Sequence, residues 1–237
     1  MHPHTLSDSQ FDDLLADIHS HGTSHDAVTT DRTRQMLNIT PSTGRFLELL
    51  VQEQRPRRIL EIGTSNAYST LWLLRAAATA NIHLDSLDHS PEKHQLARRN
   101  LQLAGLEHAV QLHTTDALQF LSQTPPNSYD FVFLDADRSR YTLWWPELRK
   151  VVKLGVIVCD NAVSHAAEFQ PLLTLIDAEP ALQRAILTIG KGQLLIRENP
   201  AATPAGPPRV PLPWPLHPRH ERPQFMLAEG VAPRHHR

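Results

Sequence analysis

An apolar segment that breaks at a single glycine and continues directly into a helical pattern is the feature that most constrains this chain. It spans residues 58–70, where Ile59, Leu60 and Ile62 precede Gly63. In parallel α/β sheets, ligands bind at the carboxyl ends of the strands, where a strand-to-helix turn exposes backbone N–H groups and a helix N-terminus. The segment therefore predicts a nucleotide-binding turn at the edge of such a sheet.

The glycines that are missing decide which nucleotide fits this turn. A dinucleotide site needs the pattern G-x-G-x-x-G so that the backbone can approach a pyrophosphate. Ser65 and Tyr68 stand at the positions of the second and third glycines, which disfavours NAD. A later strand-like run ends in Asp88, whose carboxylate can accept both hydroxyls of a ribose. A ribose site without a pyrophosphate site points to S-adenosylmethionine.

The pattern of apolar runs predicts the fold class. Short apolar runs alternate with helical segments through residues 57–198, which is typical of a parallel sheet wrapped by helices. Residues 1–56 carry helical periodicity and predict accessory helices. The last two strands are expected to form a hairpin around residues 190–192, with one antiparallel strand at the edge of the sheet. We therefore predict a doubly wound, mostly parallel, Rossmann-like α/β sheet. Its seven strands are expected near residues 58–62, 82–87, 109–113, 129–134, 154–159, 183–188 and 192–197.

Residues 199–237 differ in kind from the rest of the chain. Repeated prolines remove backbone donors and favour extended conformations, so this tail is predicted to be disordered. Its histidines and arginines leave two interpretations open. The tail is either a solvated segment without chemistry of its own, or a segment that binds a transition metal or an acidic partner.

Composition excludes several classes of protein. A formal net charge of −2 gives no electrostatic basis for binding nucleic acid. The chain has one cysteine, Cys159, so an intrachain disulfide is excluded. No apolar run approaches the roughly 20 residues that cross a bilayer, and the N-terminus lacks the pattern of a secretory signal. We expect a cytoplasmic protein without nucleic-acid or membrane partners.

Six segments, in the expected order, resemble the class I S-adenosylmethionine-dependent O-methyltransferases of the metal-dependent catechol and caffeoyl-CoA type. The resemblance extends over about residues 34–197 and implies methyl transfer to a small hydroxylated aromatic. Relatives of this type are often homodimers, which makes a homodimer one candidate oligomeric state. The identity of the acceptor is not readable from the sequence. The matching segments are residues 59–73, the strand end at Asp88, and residues 114–121, 129–141, 155–163 and 190–198.

The resemblance assigns the cofactor site to residues at several strand ends. The first turn holds the methionyl part of S-adenosylmethionine, Asp88 faces the ribose, and the pair Asp116-Ala117 flanks the adenine. Two of these residues have another interpretation, because Glu61 also fits a buried structural acid and Ser69 a helix cap. The full set is Glu61, Gly63, Tyr68, Ser69, Asp88, Asp116, Ala117 and Asp135.

Acidic and amide side chains follow two further strands: Asp135 ends one, and Asp160 and Asn161 end the next. In the related fold these strands are neighbours, which would bring the three side chains within a few ångströms, given a strand spacing of about 4.8 Å. Two close carboxylates repel each other unless a cation lies between them, and oxygen ligands suit Mg²⁺ or Mn²⁺. The resemblance implies the same three metal ligands. The alternative is that Asp135 and Asp160 cap helices.

The chain departs from the family at Arg138. Related enzymes carry a lysine three residues after the first metal-binding aspartate, and arginine cannot accept a proton at neutral pH. We assign Arg138 and Asp135 to catalysis. Arg138 either stabilises the bound oxyanion while hydroxide or solvent takes the proton, or binds an acidic substrate, or marks a weak or inactive relative. The alternative function is therefore a catalytically weak S-adenosylmethionine-binding protein whose tail recruits a partner. A metal-free methyltransferase, with Asp160 and Asn161 on the substrate, is a third.

Overall fold

Among the residues that the structure describes, seven strands form one sheet, as predicted. The computed structural model describes residues 6–77 and 82–199, so the predicted disordered tail lies outside the described residues except for Asn199. Strand order in the sheet is β3-β2-β1-β4-β5-β7-β6. The strands are β1 Arg58–Ile62, β2 His83–Asp88, β3 Val110–Thr114, β4 Tyr129–Leu134, β5 Val152–Asp160, β6 Leu182–Leu187 and β7 Gln193–Glu198.

Helices cover the sheet, and the local sequence explains where several of them begin. Thr40 accepts a hydrogen bond from the Thr43 N–H at the start of one helix, and Ser90 accepts one from the Lys93 N–H at another; a proline follows each cap. Two helices precede the sheet, as expected for the accessory N-terminal region. The helices are α1 Asp8–Val28, α2 Pro41–Gln54, α3 Tyr68–Ala77, α4 Pro91–Leu103, α5 Ala117–Gln123, α6 Tyr141–Val151 and α7 Ala166–Asp177.

Each face of the sheet belongs to a separate hydrophobic core. In β4, Phe131 and Phe133 pack into the cluster that includes residues of α1 to α4. Val132 and Leu134 pack into the cluster that includes residues of α5 to α7. Successive side chains of a strand point to opposite faces, so a strand buried on both faces reads as the continuous apolar run seen in the sequence.

The predicted antiparallel strand exists, but its predicted position at the sheet edge is wrong. β7 pairs antiparallel with both β5 and β6, and β6 is the edge strand. The two halves of the hairpin differ in polarity, which explains this order. Leu194 and Ile196 of β7 are buried, whereas Gln183 and Arg184 of β6 are exposed. The apolar half therefore takes the interior position beside β5, and the polar half faces solvent.

Candidate functional site

The order of the strands reverses beside β1, which creates a cleft at the carboxyl ends of β1 and β4. β2 follows β1 on one side, and β4 lies on the other. Open α/β sheets bind ligands at such a switch point. Two backbone hydrogen bonds close the floor of the cleft: the Gly63 N–H donates to the Leu87 carbonyl at 2.9 Å, and the Asp135 N–H donates to the Ile62 carbonyl at 3.0 Å. The predicted turn and the predicted acidic strand end therefore adjoin each other.

Gly63 meets two separate requirements at this point. Its φ of +112° lies in a region that favours glycine. A Cβ at this position would collide with the backbone carbonyl of Asp135. The close approach of the two strand ends therefore depends on the missing side chain.

The cleft encloses about 810 Å³ and is lined by most of the predicted site residues. Glu61 and Asp160 are the two predicted residues that do not line it; both are buried behind its wall. The predicted residues along the wall are Gly63, Tyr68, Ser69, Asp88, Asp116, Ala117, Asp135, Arg138 and Asn161.

Asp88 is fixed at the end of β2 by two backbone donors. The Ser65 N–H donates to Asp88 Oδ2 at 2.9 Å, and the Ser90 N–H donates to Asp88 Oδ1 at 2.9 Å. Ser65 has a φ of +47° and its hydroxyl donates to the Met36 carbonyl at 2.7 Å. The carboxylate is thus oriented at the cleft wall, and a carboxylate oxygen that already accepts one hydrogen bond can still accept another.

Glu61 lies at the centre of a buried hydroxyl cluster beneath the turn. It accepts hydrogen bonds from Ser69 at 2.6 Å, from Thr70 at 2.5 Å and from Ser86 at 2.6 Å. Burial raises the pKa of Glu61 to about 7, although the three hydroxyls act in the opposite direction. This geometry fits the structural alternative for Glu61: it holds the first turn of α3 against β1 and β2 from below the cleft.

The remaining cofactor candidates lie at helix starts along the cleft. Ser69 lies in the first turn of α3 and donates to Glu61, so it is not a cap of that helix. Asp116 caps α5 by accepting from the Gln119 N–H at 3.1 Å, and Arg140 lies 3.8 Å from its carboxylate. Tyr68 is buried, with its ring edge-on to Trp72 at 6.3 Å between centroids. In dinucleotide sites the third glycine stands at this position, whereas here the position holds the buried side chain of Tyr68.

The three candidate metal ligands come together at the ends of β4 and β5. These strands are parallel neighbours, with Leu134 opposite Cys159. The Asn161 amide donates to Asp135 Oδ1 at 3.1 Å, while the Asp160 carboxylate accepts from the amide of Gln193. Arg140 precedes α6 and His165 precedes α7, so neither Asp135 nor Asp160 caps the helix that follows it. The capping alternative therefore does not account for the two aspartates.

The electrostatics of this acidic pair favour a positive partner. Burial, reinforced by the charge of Asp160, raises the pKa of Asp135 to about 7. Burial also raises the pKa of Asp160, against the effect of its hydrogen bond from Gln193. The positive charges of Lys191 and Arg138 lower the pKa values of both carboxyls. Two acids close enough for the charge of one to raise the pKa of the other are costly as anions unless cations surround them.

The residues after Asp135 have distinct roles. Asp137 caps the short 3₁₀ helix Arg138–Arg140 by accepting from the Ser139 N–H at 3.1 Å. Arg138 Nε donates to Glu168 Oε2 at 2.8 Å, and the arginine side chain is 11% exposed. Arg138 is therefore anchored at the cleft wall by a carboxylate from α7.

Sequence reasoning missed several residues of the cleft. Residues 36–39, between α1 and α2, line it, together with Lys191 from the turn between β6 and β7. Gln193 lies behind it against Asp160. Lys191 and Gln193 both belong to residues 190–198, one of the segments that resemble the family. Their polar side chains in that segment were a signal from which sequence reasoning could have predicted these two positions. Nothing in residues 36–39 indicates ligand contact before the chain is folded.

Comparisons with known proteins identify the family. A family model described as O-methyltransferase matches residues 18–198. The chain belongs to the O-methyltransferase family. The predicted class, an S-adenosylmethionine-dependent O-methyltransferase, is thereby confirmed.

Two curated relatives and one solved structure show the extent of the similarity. A catechol O-methyltransferase of Niastella koreensis is 33% identical over 153 residues, covering 63% of this chain and 67% of the relative. A catechol O-methyltransferase of Mycobacterium tuberculosis is 32% identical over 168 residues, covering 65% and 75%. An O-methyltransferase from Bacillus cereus, solved in complex with SAH, is 28% identical, with a TM-score of 0.65, covering 82% of this chain and 92% of its own.

None of the helices within residues 6–77 and 82–199 has the length and apolar character needed to cross a membrane.

Proposed function

We propose that this O-methyltransferase transfers a methyl group from S-adenosylmethionine to a hydroxyl of a small catechol-like aromatic, at a site that holds Mg²⁺ or Mn²⁺. One observation carries the proposal. The half-buried carboxyl of Asp135, the buried carboxyl of Asp160 and the amide of Asn161 meet at two neighbouring strand ends directly beside the glycine turn. The curated relatives named catechol O-methyltransferase support the acceptor class.

The cofactor would lie across the switch point, with its parts assigned along the wall. Gly63 gives the backbone room at the turn, and Ser69 with the Tyr68 backbone lies where the amino-acid part would bind. Asp88, held by two backbone N–H groups, would accept the ribose hydroxyls. Asp116 and Ala117, at the start of α5, would flank the adenine. The SAH complex of the Bacillus cereus relative supports this use of the cleft.

The donor chemistry of the acidic site fits a hard divalent cation. Carboxylate and amide oxygens, with room for water, suit Mg²⁺ and Mn²⁺. The described residues contain no cluster of three or more His, Cys, Asp or Glu that could hold a metal ion, so such a site would depend on the Asn161 amide and on water as well. A cation bound there would lower the pKa of a chelated catechol hydroxyl and orient it toward the methyl group.

Arg138 and Lys191 would contribute positive charge beside the acceptor oxygen. Both line the cleft, and the charge of each already favours the ionised form of Asp135 and Asp160. With a cation between the carboxylates, these side chains leave an excess of positive charge near the acceptor oxygen, which stabilises a phenolate. This is the first of the three interpretations of Arg138, and the pairing with Glu168 fixes its guanidinium in position.

The direct test is a methyl-transfer assay with a panel of catechols, with Mg²⁺ or with a strong chelator. Asp135→Ala and Asp160→Ala should each abolish Mg²⁺-dependent turnover and leave S-adenosylhomocysteine affinity nearly unchanged. Full turnover in the chelator contradicts the metal. The Arg138→Lys variant tests whether Arg138 is compatible with efficient catalysis. A large gain in turnover from a nearly inactive parent would show that it is not.

A cytoplasmic location, a homodimer and a partner-recruiting role for residues 199–237 stay predictions. A pull-down with and without residues 199–237 tests the recruiting role.

A further inference from the structure

Gln193 is a buried polar residue that contacts the candidate metal site from behind. It begins β7 and lies directly opposite Asp160 in the antiparallel pairing of β5 and β7. Its side-chain amide donates to Asp160 Oδ1 and also to the Thr43 hydroxyl at 3.2 Å. Gln193 and Thr43 are both fully buried. A single amide group therefore joins a candidate metal ligand to the first turn of α2.

The turn between β6 and β7 is packed closely onto the start of α2. The Thr43 hydroxyl contacts the Thr40 hydroxyl at 3.0 Å, and Thr40 is the N-cap of α2. A Cβ at Gly190 would collide with both hydroxyls. Because Gly190 approaches so closely, the distance between Gln193 and Thr43 is set by backbone packing rather than by a mobile side chain.

The chemistry of Asp160 determines how the Gln193 amide is oriented. The amino group of the amide faces Asp160 Oδ1 and donates to it, and a carboxylate oxygen in a metal site can only accept. This orientation leaves Gln193 Oε1 buried with no hydrogen-bond partner among the described residues. A buried polar atom without a partner typically costs about 1–3 kcal/mol. An apolar side chain would avoid that cost, so the glutamine is explained by the hydrogen bonds that its amide donates to Asp160, to Thr43 and, at 3.4 Å, to the Ile189 carbonyl.

We propose that Gln193 is a positioning residue for Asp160 and that it connects the candidate metal site to α2 through Thr43. One amide hydrogen is donated to Asp160 and the other lies between the Thr43 hydroxyl and the Ile189 carbonyl, so the carboxylate stays at the strand end beside Asn161 and Asp135. Residues behind a metal ligand orient it in this way, and their loss typically weakens metal affinity by about 10- to 100-fold. The inference rests on the proposed metal-dependent function.

The first experiment measures Mn²⁺ binding directly, by electron paramagnetic resonance or calorimetry, in the full-length protein. Gln193→Leu should raise the Kd for Mn²⁺ by about 10- to 100-fold and change the Kd for S-adenosylhomocysteine less than twofold. Gln183→Leu is the matched control, because Gln183 is an exposed residue of the adjacent strand β6. It should leave both dissociation constants unchanged. If Gln193→Leu does not fold, Gln193→Met removes the same amide with a closer shape.

A second measurement separates positioning from a general structural role. In Gln193→Leu the Mg²⁺ concentration for half-maximal turnover should rise by a similar factor, while kcat at saturating Mg²⁺ recovers to near the parent value. Thr43→Val should give a smaller rise in the Kd for Mn²⁺, and the double variant should bind no more weakly than Gln193→Leu alone, because Thr43 acts through the glutamine.

The outcomes distinguish this inference from the proposed function. If the parent protein binds no Mn²⁺, the metal-dependent function and the inference both fail. If the parent binds Mn²⁺ and Gln193→Leu binds it equally well, only the inference fails. A parallel loss of Mn²⁺ and S-adenosylhomocysteine affinity also overturns it, because a distorted sheet edge would then account for both.

Discussion

At the scale of single residues, Ala67 adopts a backbone conformation in the turn after β1 that its own residue type disfavours. Ala67 has a φ of +66° and is fully buried. For a residue with a Cβ, the left-handed conformation costs about 1–2 kcal/mol. The N–H of Ala67 donates to the Thr64 carbonyl at 2.8 Å, which closes the turn just before α3. The backbone angle therefore marks residue 67 as a position where glycine would be less strained than alanine.

We expect Ala67→Gly to be nearly neutral for stability, within about 1 kcal/mol, because relief of the left-handed strain offsets the lost methyl burial and the added chain entropy. Ala97→Gly is the matched control. Ala97 is equally buried but lies inside α4, so its loss should destabilise by about 1.5–2 kcal/mol. Urea unfolding measures both. Equal destabilisation in the two variants would show that Ala67 is not strained.

Glu61 predicts a pH dependence of stability. Its folded-state pKa of about 7 lies above its ordinary value of 4.5. Between these values the folded protein holds a proton that the unfolded chain has released, so stability should fall as the pH rises through about 7. The contribution from pH 6 to pH 8 is about 1 kcal/mol.

Glu61→Gln should therefore show a smaller loss of stability than the parent over pH 6 to 8 when both are unfolded in chelator without cofactor. The neutral amide keeps the shape, and the Ser69, Thr70 and Ser86 hydroxyls can rotate to suit it. Asp135 contributes a slope of the same sign to both proteins, because its pKa is also raised. The difference between the two slopes isolates Glu61, and identical slopes would contradict its raised pKa.

At the scale of secondary-structure elements, the sheet was the most predictable part of the protein. β1 and β4 are buried on both faces, so each reads as an apolar run whatever its neighbours are. The order of the final hairpin could not be read in the same way, because it depends on which half finds an apolar neighbour in β5. Side-chain partners such as Gln193 with Asp160 depend in turn on that register. Strands are therefore easier to predict from a sequence than the pairing of strands, and strand pairing is easier to predict than side-chain contacts.

The packing of α2 against α3 yields a prediction at this scale. Gly44 of α2 lies against the indole of Trp72 in α3, and a Cβ at this position would collide with the ring. The ring is also enclosed by the Arg45 and Arg75 guanidinium groups, at 5.2 Å and 5.9 Å from its centre. Because the indole cannot yield, Gly44→Ala should force the helices apart and destabilise the protein by about 1–3 kcal/mol.

Gly22→Ala is the control for that substitution. A Cβ at Gly22 of α1 would meet the end of the Asn38 side chain, which can move at the cost of one long hydrogen bond, to the Ile18 carbonyl at 3.3 Å. Alanine is also a better helix former than glycine by about 1 kcal/mol, so Gly22→Ala should be neutral or stabilising. Thermal unfolding of both variants tests the comparison, and a larger loss for Gly22→Ala would mean that helix packing is not limited by the indole.

At the scale of the whole molecule, the site draws residues from parts of the chain that only folding brings together. The turn after β1, the ends of β4 and β5, the loop at residues 36–39 and the turn at residues 190–192 all meet at one cleft. The sequence predicted the contributions of the strand ends, because the carboxyl ends of parallel strands share one edge of a sheet. It could not predict those of the loop and the turn, whose position depends on how the accessory helices and the final hairpin pack.

The acidic pair gives a prediction about the stability of the whole protein. At pH 8, above its raised pKa of about 7, the Asp135 carboxyl carries a charge that the neighbouring Asp160 opposes, and no divalent cation offsets this when metal is removed. Asp135→Asn removes one charge and its side-chain oxygen can still accept from the Asn161 amide. It should stabilise the metal-free protein by about 1–3 kcal/mol, and it should abolish Mg²⁺-dependent turnover, as expected where a functional site is maintained against stability.

Asp137→Asn is the matched control, two residues along the chain. Asp137 is exposed and caps a short helix by accepting from Ser139, and asparagine is an equally good cap, so the stability of this variant should change by less than about 0.5 kcal/mol. Addition of Mg²⁺ should raise the melting temperature of the parent and of Asp137→Asn, since a ligand that binds only the folded state stabilises it. It should not do so in Asp135→Asn. A metal-free Asp135→Asn protein that is less stable than its parent at pH 8 would show that the two carboxyls do not repel each other, and the physical basis for a cation between these strand ends would be lost.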